Sequence, residues 1–208
     1  MTDSKTGKKV SKKKILLGLL GLIVVVVGGG ALWILGPALL PPEPIDVGIK
    51  IDAAAPVAME LKGANGEPTS LAQEMGENGM VLFLVRSADW CPFCKAQMVR
   101  TEDIREAVTA KGYALAALSY DKPEVLAAFI ADEGLGYTFL SDEGSEMINA
   151  LGLADPQYEP GSFAYGVPRA SILYLAPYGT VQAKYVAADY RSRPSNEDVL
   201  AMLNSAAK

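Results

Sequence analysis

Residues 80–98 read MVLFLVRSADWCPFCKAQM. Residues 80–87 are an apolar run of strand length, the pattern of a strand buried on both faces. Cys91 and Cys94 follow at once, and they are the only two cysteines in the chain. Beyond them Cys94, Met98, Ile104 and Val108 recur at helical spacing, and Gly112 is placed to end that helix. The pair therefore stands where a buried strand hands over to a helix, the end of an open α/β sheet at which sites are built.

The rest of the body alternates in the same way. MELKGANGEPTSL holds two short extended pieces around Asn65-Gly66, a hairpin signal. Residues 113–120 form a second strand candidate, and Asp121 with Glu124 makes a capping-box pattern before the next helix. YTFL is a short strand and SDEGSEMINALGL a short helix. Residues 170–187 alternate strand, a Pro177–Gly179 turn and strand, and Ser195 caps a final helix with Val199, Leu200 and Leu203 inward. The expected architecture is an α/β sandwich, a mixed central sheet flanked by helices.

Two cysteines and no histidine bound the chemistry. A structural zinc needs four ligands, usually Cys or His, and an iron–sulfur cluster needs a comparable set. A stapling disulfide normally closes a longer loop. A chance pair of buried thiols would make the strand–helix placement a coincidence. The absence of histidine also removes Ser-His and Cys-His catalysis. The reading that uses the placement is a redox-active pair, with no metal and no cofactor beyond a Cys91–Cys94 disulfide.

That reading has a physical basis. Cys91 falls at a helix N-cap, where free N–H groups and the helix dipole favour a thiolate. It is expected to be the exposed, attacking sulfur. Cys94, one turn inward, is shielded and resolves the mixed disulfide. Pro92 suits the first helical turn because it has no N–H to lose. Phe93 offers an apolar contact beside the pair.

WCPFCK resembles the thioredoxin-fold active site, Trp-Cys-x-x-Cys-Lys. LKGANGEPTSL, SYDKPEVLAAF, FLSDEGSEMINALGL and YGVPRASILYLAPYGTV, in that order, resemble the redoxin branch, the alkyl hydroperoxide reductase/thiol-specific antioxidant (AhpC/TSA) family. The resemblance implies a thioredoxin-like sandwich. It also implies that Val167–Pro168 is a cis peptide facing the pair, with the backbone before Pro168 free to pair with an extended substrate segment; alternatively Pro168 merely begins a strand. Trp90 is expected to cover the disulfide. The chain also departs from the resemblance. Thioredoxins carry a buried carboxylate at the position of Val85. Peroxiredoxins carry proline and a hydroxyl at the positions of Leu84 and Ala88. Arg169 falls near where peroxiredoxins place an arginine beside the cysteine; a surface strand residue is the other reading.

The N-terminal region is of a different kind. Residues 1–40 hold six lysines and one acid, while the remainder holds 13 basic and 23 acidic side chains. So acidic a body is unsuited to nucleic acid, which needs basic patches. From Ile15 to Leu40 no residue is charged, which exceeds the ~20 residues that cross a bilayer as a helix. The lysines are expected to stay cytoplasmic; a cleaved signal peptide is the competing reading. The expected organisation is a basic tail (1–14), a transmembrane signal-anchor (15–40), a Pro-rich linker (41–55) and a thioredoxin-like domain (56–208). The expected protein is anchored in a bacterial inner membrane by one span, its catalytic domain periplasmic. It exchanges electrons with protein disulfides and is recharged by a membrane or soluble donor. The alternatives are a peroxiredoxin-like thiol peroxidase and a tethered binding or chaperone module with little turnover.

Overall fold

The structure is a computed structural model and describes residues 42–207. Its frame is one seven-stranded mixed sheet. β1 (Leu61–Gly63) and β2 (Pro68–Thr69) are the hairpin expected around Asn65-Gly66, with Leu61 opposite Thr69. Gly66 sits at the tip with φ +81°, a conformation that glycine takes without steric cost. β3 (Gly79–Leu84), β4 (Tyr113–Ser119) and β5 (Thr138–Ser141) are parallel to one another. β6 (Ser171–Leu175) runs antiparallel to β3, and β7 (Val181–Val186) antiparallel to β6. The strand order is β2-β1-β5-β4-β3-β6-β7, which puts β3 inside the sheet.

That position explains the unbroken apolar run. Side chains alternate across a strand, so a strand covered on both faces has no place for a polar residue. Val81, Phe83 and Val85 join one cluster, with Cys94 and Met98 of α1 (Pro92–Thr101). Val108 of α2 (Arg105–Thr109), Leu126 and Phe129 of α3 (Pro123–Glu133), and Val199 and Leu203 of α5 (Asn196–Ala206) complete that layer. Met80, Leu82 and Leu84 join the opposite cluster, with Met147 and Ile148 of α4 (Glu146–Ala150) and with Leu71, Leu151 and Leu153. The expected sandwich is therefore present, with the cysteines inside one of its two apolar layers.

Three local expectations are corrected. The helix after the cysteines is interrupted by a 3₁₀ turn at Glu102–Ile104 before α2. The Asp121–Glu124 capping box does not form: Lys122 is the N-cap of α3 without a side-chain bond, and Pro123 opens the helix. The carboxylate of Asp121 is engaged elsewhere, as described below. Finally, the stretch expected as linker is docked from Ile45 onward. Ile45 N–H donates to Val186 O, Ile49 N–H to Leu151 O and Ala55 N–H to Gly179 O, all at 2.8–2.9 Å. Ile45, Val47 and Ile49 pack on the second apolar cluster. These apolar residues after Pro44 override the extended, solvated habit of the prolines.

The expected basic tail and transmembrane segment lie outside the described residues. Among the described residues no helix is long and apolar enough to cross a membrane.

Ser195 caps α5 as expected, in a full capping box. Its hydroxyl accepts from Asp198 N–H at 3.1 Å, and Asp198 Oδ2 accepts from Ser195 N–H at 3.0 Å. Ser195→Ala should cost about 1 kcal/mol. A urea melt should show a lower midpoint at unchanged slope, because the site is exposed and only the cap is lost.

Candidate active site

β3 ends at Leu84 and the chain reaches Cys91 through a seven-residue connection, Val85 to Cys91 counted inclusively. Cys91 is the N-cap of α1, with extended backbone (φ −97°, ψ 100°), and Pro92 takes the first helical turn. The Cys91 sulfur does what an N-cap oxygen usually does. It accepts the Cys94 N–H at 3.3 Å. Cys91 and Cys94 are joined as a disulfide, with their Cα atoms 5.3 Å apart.

The expectation of an exposed Cys91 is corrected. Cys91 is 1 % exposed and Cys94 0 %. Both belong to the apolar cluster, against which Trp90 packs from the edge. Aromatic rings ring the site. Trp90 meets Phe163 edge-on at 5.5 Å, Phe163 meets Tyr158 at 5.9 Å, and Phe93 meets Tyr190 at 5.8 Å. Trp90 Nε1–H donates to Tyr120 Oη at 3.0 Å, which fixes the indole. Phe93, between the cysteines, stays 41 % exposed.

Beneath these rings lies Arg86, a residue that the sequence reading passed over. It is 1 % exposed, at the end of the buried strand run. Its Nη1 donates to Asp155 at 2.6 Å and its Nη2 to Tyr158 Oη at 2.8 Å. Its guanidinium lies 4.6 Å from the Tyr190 ring centroid, 5.3 Å from that of Tyr158 and 5.7 Å from that of Trp90. Each such cation–π contact is worth ~0.5–2 kcal/mol, more when desolvated. Its Nε has no partner among the described residues. One signal was available: a lone charge in an otherwise apolar strand run needs a buried partner.

Arg169 is half-buried and lines a cavity of ≈ 260 Å³ with Arg86, Asp155, Tyr190 and Arg191. It is thus neither a plain surface residue nor in recorded contact with a sulfur. Val167 and Pro168 are buried. The expected cis peptide is absent: no peptide bond among the described residues is cis. Nor is the backbone there free. Val167 O accepts from Asp155 N–H at 2.8 Å, Val167 N–H donates to Ala164 O, and Arg169 N–H donates to Leu153 O at 2.7 Å. Pro168 is bridged to Ala154. The 153–155 segment occupies the edge on which an extended substrate was expected, so the groove assigned to Val167 and Pro168 is withdrawn.

A second missed residue is Asp121, at the end of β4 beside the cysteine loop. Its carboxylate accepts from Ala88 N–H at 2.6 Å, Ser119 Oγ at 2.8 Å and Ser87 Oγ at 2.9 Å. It therefore pins the turn that leads to Cys91, which is why it is not a helix cap. Burial pushes the Asp121 carboxyl above the usual 3.8, against the pull of those three hydrogen bonds. A carboxyl raised in the folded state adds stability that is full below the unfolded value and is lost as pH rises through the folded one. Asp121→Asn removes that titration. Urea melts from pH 3.8 upward should show wild type losing stability relative to the variant as pH rises, and a constant difference would refute the assignment.

A third missed residue, Arg193, reaches Cys94 from the loop before α5: its Nη2 lies 3.6 Å from Cys94 Sγ. Nothing in the sequence links positions 99 residues apart.

Comparison with known proteins fits this geometry. The AhpC/TSA family model matches residues 51–184. A peroxiredoxin-like protein of Mycobacterium tuberculosis is 30 % identical over 128 residues, covering 62 % of this chain and 80 % of the relative. Peroxiredoxin Bcp of Escherichia coli is 28 % identical over 113 residues, covering 54 % and 71 %. Among solved structures, peroxiredoxin Q of Xanthomonas campestris superposes with TM-score 0.64 at 20 % identity, covering 79 % of this chain and all of the other. At that identity the likeness speaks for the fold alone. The family match spans well over half of the sequence, and the structure supplies the paired cysteines at the helix N-terminus: the chain belongs to the AhpC/TSA family and is a thiol-based oxidoreductase.

Proposed function

We propose that the chain is a thiol peroxidase in which Cys91 attacks the peroxide and Cys94 resolves. The observation that carries this reading is the burial of Cys91. A protein disulfide must bring its own sulfur in line with Cys91 Sγ, and Cys91 is a residue only 1 % exposed, flanked by an aromatic rim. A peroxide is small enough to enter where a polypeptide disulfide is not. The peroxiredoxin names of the relatives favour the same reading. It reverses the order that the sequence suggests, in which dithiol exchange ranks first.

The Cys91 thiolate attacks the distal peroxide oxygen, the O–O bond breaks, and the leaving alkoxide or hydroxide takes up a proton. Cys91 becomes a sulfenic acid. Cys94 then attacks that sulfur, water leaves, and the Cys91–Cys94 disulfide forms. An external dithiol restores both thiols. Ala88 supplies no hydroxyl, so stabilisation of the thiolate falls to the N–H groups at the start of α1, of which that of Cys94 already donates to Cys91 Sγ.

Stopped-flow mixing of the reduced full chain with hydrogen peroxide tests this. The second-order rate constant should exceed that of a free thiolate by about 10²-fold or more, the size of one preorganised donor set. A rate equal to that of free cysteine thiolate, together with rapid reduction of insulin, would reinstate dithiol exchange. Exposed Phe93 and Phe163 favour that second reading, as an apolar rim on which a protein could rest. We also propose the single span within residues 15–40 with the domain outside the cytoplasm. Reporter fusions after Lys208 should be active only for an exported reporter.

A further inference from the structure

Among the described residues, Arg193 is the one charged side chain in contact with a cysteine sulfur. It stands between β7 and α5, and its guanidinium is fixed from two elements. Nε donates to Gln97 Oε1 of α1 at 2.7 Å, and Gln97 is itself buried one turn past the pair. Nη1 donates to Tyr190 O and to Ser192 O. Nη2 has Cys94 Sγ as its recorded partner. Among the described residues no carboxylate pairs with Arg193, since Asp189 on the same loop is taken by Arg191. The groups facing Arg193 are Arg86 from the end of β3, Arg100 from α1, Tyr185 from β7 and Asp189 from its own loop. Burial and then Arg86 push the guanidinium down to about 10, so it remains a cation at neutral pH. A half-buried cation without a counter-ion is unfavourable, and a thiolate on Cys94 would supply the missing charge.

We propose that Arg193 is a catalytic residue that holds Cys94 as a thiolate, as leaving group when the disulfide is reduced and as nucleophile when it forms. The proposal rests on the thiol redox chemistry of the pair and holds whether peroxide or a protein disulfide is the oxidant. In reduction, one thiolate of an external dithiol attacks Cys91 Sγ. The Cys91–Cys94 bond breaks and its electron pair goes to Cys94 Sγ, which leaves as a thiolate beside Arg193. The donor's second thiolate then attacks the donor sulfur bound to Cys91 and frees Cys91. The donor loses two electrons and the pair gains them. Cys94 needs no proton at the moment of leaving, which answers the absence of a buried carboxylate at Val85. In oxidation the same thiolate attacks the Cys91 sulfenic acid, the S–O bond breaks, and the departing hydroxide takes up a proton from solvent to become water.

The full chain carrying Cys91→Ser leaves Cys94 as the sole thiol and avoids coupled titration. Ultraviolet thiolate absorbance against pH should place Cys94 below the ordinary ~8.5. Adding Arg193→Gln should tighten proton binding at Cys94 by about tenfold or more, the effect of losing one nearby opposite charge. Arg193→Lys should recover much of the loss. Gln97→Leu, which removes the anchor and keeps the cation, should give a smaller rise, and it serves if Arg193→Gln does not fold. In the wild-type pair, Arg193→Gln should favour the disulfide about tenfold more against glutathione, ~30 mV. An unchanged Cys94 titration in both Arg193→Gln and Gln97→Leu would overturn the proposal. So would an equal rise for Cys91 in a Cys94→Ser background, because a general disturbance of the site would move both thiols. None of these readouts uses peroxide, so failure of the peroxidase reading stays separate.

Discussion

Arg86→Met should lower the unfolding free energy by about 3–5 kcal/mol, the cost of breaking a buried ion pair from one side. The side chains of Arg86 and Asp155 are 1 % and 5 % exposed, and they meet at 2.6 Å. Methionine fills much of the volume but leaves the Asp155 carboxylate buried at 5 % exposure, with Gln157 N–H at 3.1 Å as its remaining donor among the described residues. The desolvation of that charge, not the lost attraction, sets the magnitude. Replacing both partners, Arg86→Met with Asp155→Leu, should therefore recover most of the loss. Urea melts of the wild type, both single variants and the double variant close the cycle. The single variants should shift the midpoint at constant slope. If the double variant is as unstable as Arg86→Met, the ion pair is not the source, and the stacking of Arg86 under Tyr190, Tyr158 and Trp90 carries the energy instead.

The same residue shows what was legible in the sequence and what was not. Periodicity speaks of which face a residue takes, so the β3 run, the β1–β2 hairpin and the Ser195 cap could all be read locally. Each depends on residues within a few positions of one another. Cys91 at the N-cap was legible for the same reason. Its burial was not, because the cover comes from Phe163 and Tyr190, about 70 to 100 positions away, and nothing in the pattern near Cys91 announces them. Asp121 was misread because its local pattern does fit a capping box; the competing donors, Ala88 N–H and Ser87 Oγ, lie on the neighbouring strand's loop. Pro168 was misread by transfer. The family resemblance suggested a cis peptide with a free backbone edge, whereas no peptide bond among the described residues is cis and Leu153 and Asp155 already fill its flanking hydrogen bonds. Residues 45–55 were misread because three prolines outweighed Ile45, Val47 and Ile49, which reach the core only in three dimensions.

The largest functional effect should be Cys91→Ser, which should abolish the fast reaction with peroxide, while Cys94→Ser should keep the first turnover and lose the rest. Cys91 Sγ lies at the start of α1, where it accepts the Cys94 N–H. That donor and the helix dipole favour a negative sulfur there. A serine hydroxyl keeps the cap but cannot become the nucleophile at neutral pH. Cys94 stands inside α1, one turn past the N-cap position that Cys91 holds, and its assigned part is to resolve. In Cys94→Ser the sulfenic acid formed on Cys91 has no partner for disulfide closure. Stoichiometric peroxide is then consumed in a single burst, and the sulfenic acid accumulates, trappable by a dimedone-type reagent. Steady-state turnover with an external dithiol should fall by at least about 10²-fold in both variants, the lower end of the loss when one member of a catalytic set is removed. The burst should survive only in Cys94→Ser. A burst of equal size in Cys91→Ser, with the sulfenic acid mapped to Cys94, would exchange the two roles. It would make the Arg193-bound sulfur the one that meets peroxide.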